Sequence, residues 1–163
     1  MTDLKGPLLE SWDRQLQIWD RLIALIDENN KAAKPAPDGW PISTHLGHIH
    51  EVRHGWIESF APEEAEKLPA CVELVGEDWK YIDDLATIRS SLAESGPMVG
   101  RLVGEKIDAG ATKIGPYSHP IFFLQHMLWH EAYHFSLIIL ALRNIGQEPP
   151  ESWDDDTWQI WKT

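Results

Sequence analysis

Apolar residues recur at helical spacing in four long segments of this chain. Leu8, Trp12, Trp19, Ile23 and Ile26 lie three, four or seven apart, which predicts an amphipathic helix from Pro7 to about Asn30. Two prolines and a glycine in Lys34-Pro35-Ala36-Pro37-Asp38-Gly39 then break the chain. A second helix is expected from Pro41 or Ser43, with Ser43 as a candidate N-cap. It carries Leu46, Ile49, Val52, Trp56 and Phe60, and Pro62 closes it. Glu63 to Leu68 reads as a helical turn and Leu74-Val75-Gly76 as irregular. Tyr81, Leu85, Ile88, Leu92, Val99 and Leu102 keep the four-three rhythm of bundle packing, with a kink or break expected at Gly96-Pro97. After a linker over 108–117, a last helix starts near Ser118-His119-Pro120 and runs to Asn144, where Gly146 supplies a stop. No segment alternates convincingly as a strand. The pattern predicts an all-α four-helix bundle in one domain over 1–163.

The tail does not read as a disordered end. Trp153, Trp158 and Trp161 would each forgo roughly 2 kcal/mol of burial in water, so residues from about 150 to 163 are expected to pack on the bundle or on a partner subunit.

Charge narrows the partners. With 26 acidic and 14 basic residues the net charge is −12, which repels nucleic-acid phosphates and anionic membrane surfaces alike. Stretches of eighteen apolar residues are absent, so no membrane span is expected. The segment Met1 to Pro7 lacks the basic-then-apolar pattern of a signal peptide, and the single cysteine, Cys71, rules out an internal disulfide framework. Together these suggest a cytoplasmic protein.

All eight histidines fall in two windows: His45, His48, His50 and His54, then His119, His126, His130 and His134. Neutral imidazole is the commonest side-chain ligand for transition metals. On a helix, residues four apart lie about 40° apart around the axis, so His126, His130 and His134 share one strip, read as facing the core. An i, i+4 pair such as His130 and His134 can hold one ion. In the second helix His45 lies inside the apolar arc and His48 at its border; geometry nominates either as a third ligand. Three protein ligands leave an open coordination position, as catalytic sites do. His50, His54 and His119 read as surface residues or helix-end contacts, and His126 as a core residue near the site rather than a ligand.

His130-Glu131-Ala132-Tyr133-His134 also matches the H-E-x-x-H pattern of zinc peptidases. No histidine follows His134 to complete such a site, and Glu131 reads as a solvated helix-face residue, lying well around the helix from the histidine pair. The sequence therefore assigns no catalytic residue. Cys71, without a basic neighbourhood, is not proposed as a nucleophile.

The segment Gly39-Trp40-Pro41-Ile42-Ser43-Thr44-His45-Leu46-Gly47-His48-Ile49-His50-Glu51-Val52-Arg53 resembles the second helix of the DinB/YfiT-like superfamily. Gln125-His126-Met127-Leu128-Trp129-His130-Glu131-Ala132-Tyr133-His134 resembles its last conserved helix, with the H-x-x-x-H pair. The resemblance covers nearly the whole chain except the tail. It implies a four-helix bundle in which His48, His130 and His134 bind a divalent metal ion, zinc or nickel above all, with His45 in the core beside them. It also implies a homodimer and a metal-dependent enzyme: a hydrolase, or a transferase using a low-molecular-weight thiol on a small-molecule substrate. The alternative is a non-catalytic helical dimer that binds a metal or ligand. One departure stands out. The Arg-Gly-Gln common after the last ligand is replaced by Phe135-Ser136-Leu137, which removes a polar side chain beside the site.

Overall fold

The computed structural model describes residues 4–162. Met1 to Asp3 of the N-terminal segment and Thr163 at the end of the tail lie outside the described residues. The helices are α1 (Lys5–Ile23), α2 (Ile42–Glu58), α3 (Pro62–Ala65), α4 (Leu85–Asp108), α5 (Pro120–Asn144) and α6 (Glu151–Gln159). A two-stranded sheet, β1 (Val72–Val75) and β2 (Asp78–Tyr81), lies between α3 and α4. The four long helices α1, α2, α4 and α5 form the bundle, and α1 and α2 each pack against both α4 and α5. Its interior joins two clusters. One includes Trp19, Leu46, Ile49, Ile88 and Ile138; the other includes Trp12, Ile57, Val103, Phe123 and Met127. Burying each such side chain contributes about 1.5–3 kcal/mol.

Four boundaries differ from the sequence reading, each for a local reason. Helix α1 ends at Ile23 rather than near Asn30, because polar side chains compete for the backbone there. Asp27 Oδ1 accepts from the Asn29 and Asn30 amides, Asn30 Oδ1 accepts from the Asp27 amide, and Asn30 Nδ2 donates to the Leu25 carbonyl. Ser43 is not a cap; it is buried inside α2, which begins directly after Pro41. Helix α4 starts at Leu85, not at Tyr81, because the Asp84 carboxylate caps it by accepting from the Thr87 amide at 2.8 Å. It then runs unbroken through Gly96 and Pro97. Trp12 of α1 packs into this stretch and donates its indole N–H to the Gly96 carbonyl at 2.8 Å, holding the helix where proline removes one internal bond.

The β hairpin is the other departure. Val72 pairs with Tyr81 and Val75 with Asp78, leaving Gly76 and Glu77 as a two-residue turn. Gly76 has φ 69°, the conformation a two-residue hairpin turn asks of its first residue and one that glycine adopts without strain. Most of both strands is exposed, so neither develops the alternation that marks a half-buried strand. The tail forms α6, which lies against α1 and α5. Trp153 stacks on Phe135 with centroids 6.4 Å apart, and Arg14 donates to the Ile160 carbonyl at 2.6 Å.

Candidate metal centre

Helices α2 and α5 bring His48, His130 and His134 together, each presenting Nε2 to the others. His134 Nε2 lies 3.1 Å from His130 Nε2, which lies 3.3 Å from His48 Nε2. Two nitrogens about 2.0–2.1 Å from a common ion are separated by about 3.0–3.4 Å when the angle at the ion is near 90–110°. Those two separations fall in that range, and the three candidate ligand atoms all lie within 4.8 Å of one another. Helical geometry also explains which members of the strip take part. Four-residue steps overshoot a full turn by about 40°, so the strip winds outward along α5. His134 is buried, His130 partly so, and His126 is exposed. The reading of that whole strip as core-facing is corrected accordingly: His126 bonds the Tyr117 hydroxyl through Nδ1 at 2.5 Å.

The remaining ring nitrogens fix how each imidazole points. His134 Nδ1 lies 2.9 Å from Nδ1 of His45, which is buried between α2 and α5. His48 Nδ1 lies 2.8 Å from the Tyr81 hydroxyl, supplied by β2. A cation held by the three Nε2 lone pairs would require the protons of His134 and His48 to sit on Nδ1, facing His45 and Tyr81. His130 Nδ1 and His45 Nε2 are buried without a hydrogen-bond partner. Tyr81 was missed by the sequence reading, which took it for the start of a helix. A sequence signal for it exists in the glycine turn between two runs containing Val and Tyr. Gly47 makes the approach feasible: a Cβ there would fall 3.3 Å from Tyr81 Cδ1.

The site favours neutral imidazoles. Burial, then the repulsion of neighbouring His130, His48 and His45, pushes His134 down to about 3. Burial likewise lowers His45 to about 4, with His48 adding to the effect. His48 and His130 are lowered too, by burial first and then by His130 and His126 respectively. Lone pairs are therefore free for a cation at neutral pH.

Two further sequence readings are corrected. Glu131 is fully buried, not solvated, and both its oxygens accept from Arg53 of α2, from Nε at 2.7 Å and from Nη2 at 2.9 Å. Arg53 also donates to the Leu92 carbonyl at 3.2 Å and lies over the Trp12 ring. Glu131 thus ties α5 to α2, and its bidentate pairing leaves it poorly suited to the general-base role of the H-E-x-x-H reading. His50, read as a surface residue, is buried, with Nδ1 3.0 Å from the Ser91 carbonyl and Nε2 2.6 Å from the Pro69 carbonyl. His54 is half-buried, and His119 caps α5 by accepting from the Ile121 amide at 3.1 Å. A second cluster, His50, Glu51 and Cys71, has candidate ligand atoms within 4.8 Å of one another. Both His50 nitrogens face backbone carbonyls, Glu51 accepts from the Cys71 amide, and burial pushes the Cys71 thiol up to about 11, so this cluster offers a poorer ligand set than the three histidines.

A cavity of about 600 Å³ opens beside the three histidines. Its walls come from the loop before α2, including Asp38 and Trp40, and from Tyr133, Leu137 and Leu140 of α5. The Trp40 ring lies parallel to that of His134, 5° apart in plane with centroids 6.4 Å apart, and Tyr133 meets His134 edge-on at 5.2 Å.

A four-helix bundle with three histidine nitrogens converging between its second and last long helices, beside an accessible cavity, defines a class of helical proteins with a potential metal site. The chain belongs to the DinB family, whose model matches residues 1–163. Comparison with curated proteins and with solved structures gives no match. No helix among the described residues is long and apolar enough to cross a membrane.

Proposed function

We propose that His48, His130 and His134 hold one divalent metal ion through Nε2, and that the protein is a metal-dependent enzyme acting on a small molecule in the adjoining cavity. The convergence of the three Nε2 atoms carries this reading. A ring nitrogen is a donor or an acceptor, never both. Three of them gathered at one point cannot satisfy one another well by hydrogen bonding, whereas one cation satisfies all three lone pairs. Imidazole donors suit zinc and nickel alike. Once bound, such an ion supplies Lewis acidity, which makes a water molecule or a thiol more acidic at neutral pH. That chemistry fits a hydrolase or a thiol-dependent transferase.

The chain's own residues orient the ligands and shape the cavity. His45 and Tyr81 receive the Nδ1 protons of His134 and His48 and hold those rings with Nε2 inward. Arg53 and Glu131 fix α2 against α5. Trp40, Leu137 and Leu140 give the substrate an apolar wall.

The protein is further proposed to be a homodimer. Phe122, Trp129 and Tyr133 form an exposed stripe on α5, 60%, 78% and 60% accessible. The only charged residue from 120 to 142 is Glu131, which is buried, so this stretch of α5 would bring no exposed like charges into direct contact in a dimer.

The test is metal content by elemental analysis, with single alanine substitutions in protein purified without chelators. His48→Ala, His130→Ala and His134→Ala should each lower zinc or nickel well below one ion per chain, while His54→Ala retains it. Full loading in both His130→Ala and His134→Ala overturns the reading. Loss in His45→Ala with retention in His48→Ala moves the third ligand to His45.

A further inference from the structure

We propose that the groove between α6 and the bundle is a second binding site, which takes a flat, uncharged small molecule carrying one hydrogen-bonding group, and that Gln15 bonds that group. The site is a cavity of about 570 Å³ between α1, α5 and α6, a size usual for small-molecule pockets. It shares no lining residue with the cavity beside the three histidines, so it does not rest on the metal reading. Gln15 of α1 lines it and is only 7% exposed. Among the described residues, its side-chain amide has no hydrogen-bond partner. The other buried polar residue on this wall, Thr157, donates its hydroxyl to the Trp153 carbonyl at 2.6 Å. Ser136 donates to the Ala132 carbonyl at 3.0 Å. Gln15 therefore keeps both donor and acceptor open where the hydroxyls beside it are committed. A buried amide without a partner is costly, and a ligand that bonds to it relieves that cost.

The tail supplies the aromatic part of the wall. Trp153 is half-buried against Phe135, with the two ring planes 20° apart. Trp158 and Trp161 line the same cavity yet stay 61% and 39% exposed, so the burial expected of the tail is incomplete. Uncovered indole faces around a recessed amide suit a flat ring, which covers the faces and bonds the amide. Both buried polar residues of the wall are neutral, and Asp154, the only charged residue lining it, is exposed. A charged ligand group would thus find no buried counter-charge there. One neutral hydrogen bond in such a place is worth about a three- to tenfold change in Kd.

The experiment titrates indole and benzothiophene, two probes of similar shape, into the full chain. Only indole carries an N–H, which the Gln15 carbonyl oxygen can accept. Binding is followed by the tryptophan N–H signals of the protein in two-dimensional NMR, with Trp153 and Trp158 assigned through Trp153→Phe and Trp158→Phe. Indole should shift both signals saturably at millimolar concentration. Gln15→Leu removes an amide that has no partner, so the fold should survive it. That variant should weaken indole about three- to tenfold and leave benzothiophene no weaker. The wild-type titration tests the location without any variant at Gln15. The proposal is overturned if indole does not bind at millimolar concentration, or if it binds and leaves Trp153 and Trp158 unmoved. It is equally overturned if Gln15→Leu weakens neither probe or both alike. A Trp158 signal that moves with protein concentration alone, with no response to indole, would give the groove to a second copy of the chain and overturn the small-molecule reading.

Discussion

Replacing Glu131 by glutamine separates a structural carboxylate from a catalytic one. Both Glu131 oxygens accept from a single guanidinium, at 2.7 and 2.9 Å, with both side chains essentially sealed from water. Glutamine keeps the shape but turns one acceptor into an N–H₂ facing an N–H. It forfeits one charge-assisted bond, worth about 1.5–3 kcal/mol, and strands a buried cation. Arg53 would keep the Leu92 carbonyl at 3.2 Å and the Trp12 face at 5.4 Å, and neither carries a full negative charge. Breaking such a pair costs about 3–5 kcal/mol, a large part of the roughly 5–15 kcal/mol that holds a domain together. Glu131→Gln should therefore lower the urea midpoint strongly, as followed by circular dichroism. The double variant Arg53→Met/Glu131→Leu removes both charges and should recover most of the loss, so that the two single effects are far from additive. A loss below about 1 kcal/mol in Glu131→Gln would refute the ion-pair account. It would also reopen the general-base reading, in which activity falls and stability does not.

Three other outcomes follow from the site. Tyr81→Phe and His45→Ala should each retain one zinc per chain but weaken it about 10- to 100-fold, as measured against a competing chelator; unchanged affinity would show that neither hydrogen bond matters. In the metal-free protein, the unfolded chain takes up protons as pH falls through the ordinary histidine value of 6.5, while folded His45 and His134 resist until about 4 and 3. Stability should thus be complete above pH 6.5 and lost progressively down to about 3, and His134→Gln should flatten that dependence in urea titrations at stepped pH. Trp129→Glu should convert a dimer into a monomer in sedimentation at micromolar concentration without altering the helical spectrum; a wild type that is already monomeric would remove the dimer proposal.

The helices were legible because their apolar positions keep a period near 3.6 over many turns, as in Leu85 to Leu102. The hairpin was not, because Leu74, Val75 and Trp79 are exposed and its strands show no inside to read. His130 and His134 could be paired from spacing alone, since one helix carries both. Whether His45 or His48 faces them depends on the rotation of α2 against α5, which periodicity leaves open by half a turn or less. Arg53 and Glu131 were invisible for a related reason. A charged residue on a helix border reads as solvated unless its partner, 78 positions away, is known to meet it.

An imidazole without a partner on its outer nitrogen can rotate by half a turn and present either nitrogen inward. Tyr81 removes that ambiguity for His48, and it does so from a hairpin that packs on α2 where Gly47 leaves room. His45 does the same for His134. His130 has no such partner and is held by packing alone. The three rings are thus oriented differently, two by a hydrogen bond on Nδ1 and one by packing. A bundle stripped of its hairpin would keep all three histidines and lose one of those two hydrogen bonds.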